Sequence, residues 1–163
     1  MPVSAIKPDW TREEKSFFSW SPSRSLLASI RRYQTTEREF MLFRGLTRLR
    51  CILEHRFWSV VTGADIPLNC RLGGGVLLPH PNGIVIHPDA VIGPNCLIFQ
   101  QVTIGCVEGS KAPVIGGHVD IGAGAKVLGT VKVGDNVLIG ANSVVLNDVK
   151  EGATVVGIPA RET

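Results

Sequence analysis

Aromatic residues make up only 6% of this 163-residue chain, and its four cysteines, Cys51, Cys70, Cys96 and Cys106, contain no C-x-x-C pair. That spacing argues against a redox dithiol, and the expectation is four reduced thiols in a cytoplasmic protein. The N-terminus lacks the apolar core and cleavage site of a secretory signal, and no apolar run approaches the roughly 20 residues of a membrane span. With few rings, 18 glycines and 10 prolines, the core has to come from small and branched aliphatic side chains separated by many turns. The 44% apolar content is ample for one domain with a small appendage.

The net charge of +3 is unevenly placed. Residues 1–64 hold eleven Lys and Arg against six Asp and Glu, a surplus of five, whereas residues 65–163 hold six against eight. Most of the cations in the first part are arginines, including Arg24, Arg31, Arg32, Arg48, Arg50 and Arg56. Glu37, Glu39 and Glu54 interrupt them, so a solvated helix face is the first reading. A peripheral contact with an anionic surface is the functional alternative, and nucleic acid is not an expected partner.

The pattern changes along the chain. Residues 1–24 carry Pro2, Pro8, Pro22 and several serines, which reads as a loose arm with an aromatic patch at Phe17, Phe18 and Trp20. From Ser25 to about Thr62, Leu42, Leu46, Leu49, Leu53 and Phe57 recur at three and four, the spacing of one helical face, and Gly63 supplies a stop. Residues 1–64 are therefore an arm and helical cap, and residues 65–163 a separate β domain.

In that second part a branched apolar residue returns at every sixth position. Ile66, Leu72, Leu78 and Ile84 keep step. A shift of two leads to Ile86, Ile92, Ile98 and Ile104; an insertion follows; then Ile115, Ile121, Val127, Val133, Ile139 and Val145 resume. Helices repeat at 3.6 residues and strands at two. A period of six belongs to a parallel β-helix, in which each hexad gives one short strand and one turn and three hexads close a triangular coil. The residue four places after each anchor, such as Val76, Ala90, Cys96, Val102, Val119 or Val131, fills a corner. About five coils fit. The first coil needs a cover, which the helical preface would provide, and the flat aliphatic faces favour self-association.

Several motifs lie on this frame: PHPNGIVI around His80, then FQQVTIG, IGAGAKVLG, VGDNVLIGANSVV and a closing VVGIPAR. From Asp65 to Arg161 the sequence resembles the left-handed β-helix acyltransferases of the hexapeptide-repeat family, most closely the serine acetyltransferase group. The resemblance implies transfer of acetyl from acetyl-CoA to a hydroxyl, in sites between neighbouring subunits of a trimer or of a dimer of trimers. It implies His80 as the general base, suited to deprotonating an alcohol near neutral pH. Asp65, fifteen residues earlier, would be the carboxylate that fixes its tautomer. Acetyl-CoA is expected along Gly105, Ala123 and Ala141, with an N–H near Gly105 or Cys106 facing the thioester oxygen. Lys126, Lys132 and Arg161 are the cations for its phosphates. No metal is expected.

Two departures bear on the acceptor. The loop CVEGSKAP is shorter than in the family, with Lys111 and Ala112 at the positions of an Arg-His pair that holds the substrate amino acid. Pro79 stands where an acidic residue would bind the amino group. The expected acceptor is therefore either L-serine or a saccharide hydroxyl, the latter pointing to polysaccharide modification. Two further readings are a metal enzyme resembling the β-helix carbonic anhydrases, using His80, His87 and His118, and a non-catalytic scaffold. His87 and His118 read otherwise as turn residues, His55 as a packing residue, and Cys106 as a nucleophile lacks an evident His partner.

Overall fold

The structure is a computed structural model that describes residues 3–16, 19–36 and 41–163, with the side chains of 41–44 left aside. Phe17, Phe18, Glu37, Arg38, Glu39 and the Leu42 and Arg44 side chains lie outside the described residues. Among the described residues a 3-10 turn (Trp10–Arg12) and two α-helices, α1 (Pro22–Thr35) and α2 (Met41–Thr62), precede thirteen short strands. Pro22 stands in the first turn of α1, where its missing N–H costs nothing. Gly63, with φ +65°, ends α2 and donates its N–H to Ser59 O at 2.8 Å.

The strands stack into three parallel faces. Face A contains β2 (Val85–Ile86), β5 (Thr103–Gly105), β8 (Lys126–Leu128) and β11 (Val144–Val145). Face B contains β1 (Arg71–Leu72), β3 (Val91–Ile92), β6 (Val114–Ile115) and β9 (Lys132–Val133). Face C contains β4 (Leu97–Ile98), β7 (Asp120–Ile121), β10 (Leu138–Ile139) and β12 (Thr154–Val156), closed by the antiparallel β13 (Arg161–Glu162). Single bridges at Asp65, Leu77 and Val149 bring each face to five parallel rungs, as the hexad count predicts.

Burial follows the repeat. Ile86, Ile104, Val127 and Val145 stack in register inside face A, and Ile98, Ile121, Ile139 and Val155 inside face C, all buried. The residue before each anchor points outward, since alternate side chains of a strand take opposite sides. The corner residues Val76, Ala90, Cys96, Val102, Val119, Ala125, Val131 and Val137 are buried as well. The B/C corner takes a left-handed residue in every coil, supplied by the column Gly75, Asn95, His118, Asn136, Gly152.

The breaks in the hexad have a structural meaning. Successive coils pair Val85 with Thr103, 18 residues on, but Asp65 with Val85 and Leu77 with Leu97, 20 residues on. The two extra residues fall between Leu77 and Val85, in the turn that carries His80. Ile84 is thus a corner residue in register with Val102, and Ile86 is the anchor; reading Ile84 as an anchor is corrected. Thr103 pairs with Lys126, 23 residues on, because five residues bulge out in the loop after Gly105.

The preface caps the first coil with apolar and polar contacts together. Leu26, Leu27 and Ile30 of α1 share one buried cluster with Ile66, Cys70, Val76 and Ile84. Arg31 donates to Leu72 O at 2.6 Å and Gly73 O at 2.5 Å, Gln34 to Leu68 O and Cys70 O, and His55 Nε2 lies 2.8 Å from Ile66 O. Glu13 accepts the Val76 N–H at 3.1 Å and pairs with Arg31. The open rung of the prism therefore finds its partners one side chain at a time.

Two expectations are revised. The arm is docked: its residues 4–13 run along the edge between faces B and C, held by buried Asn95. The Asn95 amide accepts the Asp9 N–H at 2.8 Å and donates to Ser4 O and Lys7 O at 2.6 and 2.8 Å. Trp20, for its part, meets Trp58 with ring centroids 5.7 Å apart. The leucine stripe is helical but faces outward, with Leu46, Leu49, Leu53, Phe57 and Val60 between 53% and 84% exposed.

Candidate active site

His80 sits in the turn between faces C and A of the first coil, and the two-residue insertion there carries it out of the regular corner. Its side chain is exposed. Asp65 stands on the first rung of face A, paired through its backbone with Ile84 and Ile86, and its carboxylate is also exposed. The two lie at neighbouring positions around the same end of the prism, yet no hydrogen bond or ion pair joins them.

The same corner recurs in the coils that follow. Gln101 N–H donates to Asn82 O at 3.0 Å, Gly124 N–H to Gln100 O at 2.8 Å and Asn142 N–H to Ala123 O at 2.8 Å. Asn82, Gln100, Ala123 and Ala141 are therefore successive members of one column along the C/A edge, and His80 precedes Asn82 by two residues in the inserted turn at its first-coil end. At roughly 4.8 Å per rung it runs about 14 Å. Ala123 and Ala141 keep this edge low and leave the main chain accessible. Arg161 is exposed on β13 at the far end of face C, where Ala160 N–H donates to Val144 O. Lys126 lies beside the same column, but its Nζ is tied to Gln101 O at 2.6 Å and Gly124 O at 3.0 Å. It bridges two corners with those bonds and has one donor left for an anion.

Gly105 and Cys106 do not join this group. They leave face A at its opposite edge, toward face B, with the full width of the face between them and His80. There the loop after Gly105, turned at Gly109 (φ +77°) and by the Ser110 hydroxyl on Val107 N and O, overhangs face B. It encloses a cleft of about 660 Å³ lined in part by Arg71, His87, Asp89, Cys106 and Lys111. Neither the Arg71 guanidinium nor the Lys111 ammonium has an ion-pair partner among the described residues. Arg71 was invisible as a site residue in the sequence, because only the 20-residue register brings β1 alongside β3 and under this loop.

The remaining titratable groups are structural. His87 Nδ1 accepts the Asp89 N–H at 3.1 Å, and His118, at φ +53°, lies 2.9 Å from Asn136 Oδ1; both are turn residues. Burial pushes the Cys70 thiol up to about 12 and the Cys96 thiol up to about 11, so both stay protonated and inert. Cys106 is only partly buried. Among the described residues, no three His, Cys, Asp or Glu side chains gather as a metal site.

Comparison with known proteins agrees with this fold. Residues 112–147 match the family model for bacterial transferase hexapeptide, six repeats. A serine acetyltransferase of Synechococcus elongatus is 48% identical over 105 residues, covering 63% of this chain and 43% of the relative. The crystal structure of Neisseria gonorrhoeae serine acetyltransferase superposes with a TM-score of 0.73 at 34% identity, over 88% of this chain and 56% of that one. A serine acetyltransferase in complex with CoA gives 0.71 at 35%, over 88% and 58%. The chain thus spans about half the length of the relatives it matches.

Proposed function

From a chain that is a serine acetyltransferase-like member of the left-handed β-helix, hexapeptide-repeat acyltransferases, we propose an O-acetyltransferase that moves acetyl from acetyl-CoA to L-serine. The observation that carries this reading is the C/A edge, an exposed imidazole at one end of a column of small residues. Acetyl-CoA would lie along Ala141 and Ala123 with its thioester toward His80 and its phosphates toward Arg161 and the free donor of Lys126. The neutral imidazole takes the hydroxyl proton as the oxygen attacks the thioester carbon. The tetrahedral oxyanion then collapses, the C–S bond breaks, and the imidazolium returns its proton to the departing thiolate. Asp65 would steady the imidazolium once the site is loaded.

The opposite edge enters through a neighbouring copy. In a homotrimer the A/B edge of one subunit would face the C/A edge of the next, bringing Gly105, Cys106 and the Arg71–Lys111 cleft to His80. Those two cations favour serine over a neutral sugar, because they would meet its carboxylate. A related N. gonorrhoeae enzyme has been solved in complex with serine, which supports the same choice. Self-association is supported by outward Val85, Val114, Leu138 and Val156 on the faces, and pairing of trimers by the exposed stripe of α2. Cysteines outside any disulfide suit a reducing, cytoplasmic setting. The preface arginines are largely engaged, Arg12 and Arg24 on main-chain oxygens, Arg31 on Glu13, Arg32 and Arg50 on Glu54, which argues against an anionic surface as partner.

A thiol-release assay with acetyl-CoA and a panel of serine, homoserine and sugars tests the proposal, with serine expected as the best acceptor. Turnover with a sugar and none with serine would overturn the acceptor. No thiol release with any of them, together with no rise in Tm on adding acetyl-CoA, would leave only a scaffold.

A further inference from the structure

We propose that Arg71 of the partner subunit holds the Asp65 carboxylate in a three-fold assembly, so that the group behind the His80 base is set in place by a second copy of the chain; this rests on the acetyl-transfer reading above. Asp65 and Arg71 each stand directly before a hexad anchor, Ile66 and Leu72. They occupy equivalent outward places on faces A and B of the first coil, Asp65 pairing with Val85 and Arg71 with Val91. Both are exposed, and no hydrogen bond or ion pair joins either side chain to another described residue. Outward side chains on two faces of a triangle diverge, so the carboxylate and the guanidinium have no means of meeting within one prism.

Between prisms they have. A three-fold axis parallel to the column keeps every residue at the height of its own coil, so the first coil of one copy meets the first coil of the next. Asp65 follows the C/A corner and Arg71 follows the A/B corner, and these are the two edges that such a trimer brings face to face. One rung along, the outward residues Val85, Val91 and Leu97 are all apolar, a belt around the prism that gives sideways packing its hydrophobic contact. Among the described coils, only the first sets opposite charges on faces A and B. The like pair Lys126 and Lys132, three coils along, does not oppose closure, because the Lys126 ammonium is drawn onto Gln101 O and Gly124 O. Beside the apolar belt an ion pair loses water and gains strength. The guanidinium is planar with five N–H donors, so one edge can hold Asp65 while another meets the acceptor carboxylate. Arg71 is then a positioning residue that acts through Asp65.

Two experiments on the full chain test this. In the first, Arg71→Ala and His80→Ala, expected to lose about tenfold or more and about 100-fold in kcat/KM respectively, are unfolded together in equal amounts and refolded. About one site in four then combines an intact His80 with an intact Arg71 of the partner subunit, and about a quarter of wild-type turnover should return. Recovery no greater than the mean of the two variants overturns the proposal, as does an unchanged kcat/KM in Arg71→Ala. The second experiment reads assembly by sedimentation and needs no activity. Asp65→Lys and Arg71→Glu should each raise the concentration at which the trimer dissociates by about tenfold, and the double variant Asp65→Lys/Arg71→Glu should return it to within about threefold of wild type. Additive losses, or a wild type that stays monomeric, overturn the contact. Should either reversal fail to fold by circular dichroism, Asp65→Asn and Arg71→Met complete the same cycle. Failure of wild type to release thiol from acetyl-CoA is a different outcome: it removes the acyl-transfer reading, while the sedimentation cycle still decides the pairing.

Discussion

Two edges of one prism, built from the same repeat, have opposite fates. On the B/C edge the left-handed corner residue Asn95 is fully buried, because residues 4–13 lie over it and its amide makes three hydrogen bonds to them. On the C/A edge the side chain of the equivalent Gln101 bonds only to Asn82 of the preceding coil, and small or exposed residues leave the surface open. The repeat alone does not decide which edge can host a ligand. A segment some 86 residues away in sequence decides it by covering one of them.

The sharpest way to break this contrast is at the open edge. His80→Ala is expected to lower kcat by about 10²–10⁴-fold, the usual worth of a general base, with Tm unchanged because the imidazole is exposed. Full retention of turnover in that variant removes the proposed base. At the covered edge the effect should appear in stability instead. Asn95→Ala leaves one N–H and two carbonyls of the arm without their partner and should cost about 3 kcal/mol, read by thermal or denaturant unfolding. Gln101→Ala should stay within about 1 kcal/mol. Gly117→Ala attacks the same contact sterically, since a Cβ there would fall on the Ala5 carbonyl. Increased proteolysis of the arm, with the prism left intact, is the expected readout.

A smaller effect concerns pH. The folded pKa values of Cys70 and Cys96 lie above the ordinary thiol value of 9.0, so their contribution to stability is complete below that value. As pH rises from about 9 toward 11 and 12, the unfolded chain loses thiol protons that the folded one keeps, and stability falls. A Cys70→Ala/Cys96→Ala chain should show a flatter decline of Tm over that range. The smallest effect is expected at Gly105→Ala, where the nearest atoms to a new Cβ are 3.7 and 3.8 Å away. Its stability should change by about 0.5 kcal/mol or less. Any loss of acetyl-CoA affinity there would report contact with the donor, and none would confine the donor to the C/A edge.

The sequence disclosed the prism almost completely, since every hexad anchor is a packing demand repeated in register, and a branched residue every six positions has few other uses. What it hid were contacts that depend on register or on side. Ile84 kept the count of six while serving as a corner, because two residues inserted around His80 shift the phase without disturbing the arithmetic. The stripe Leu46–Leu49–Leu53–Phe57 announced a helix correctly, but periodicity cannot say whether an apolar face meets this chain or another. Arg71 and Lys111 are 40 positions apart and meet only through the stacking of β1 on β3. The family resemblance, and not the spacing alone, pairs Asp65 with His80, and the single chain leaves them unjoined.

The cap formed by Arg31, Gln34, His55 and Glu13 also determines how the molecule behaves in company. A bare parallel coil is a template on which an identical coil from another molecule could add indefinitely, as in fibril growth. Here the Ile66, Leu68, Cys70, Leu72 and Gly73 carbonyls and the Val76 N–H, which such a newcomer would grasp, are already held by side chains that offer no strand in return. Neutralising those four residues should favour lengthwise polymerisation, read as growth of filaments by light scattering or microscopy.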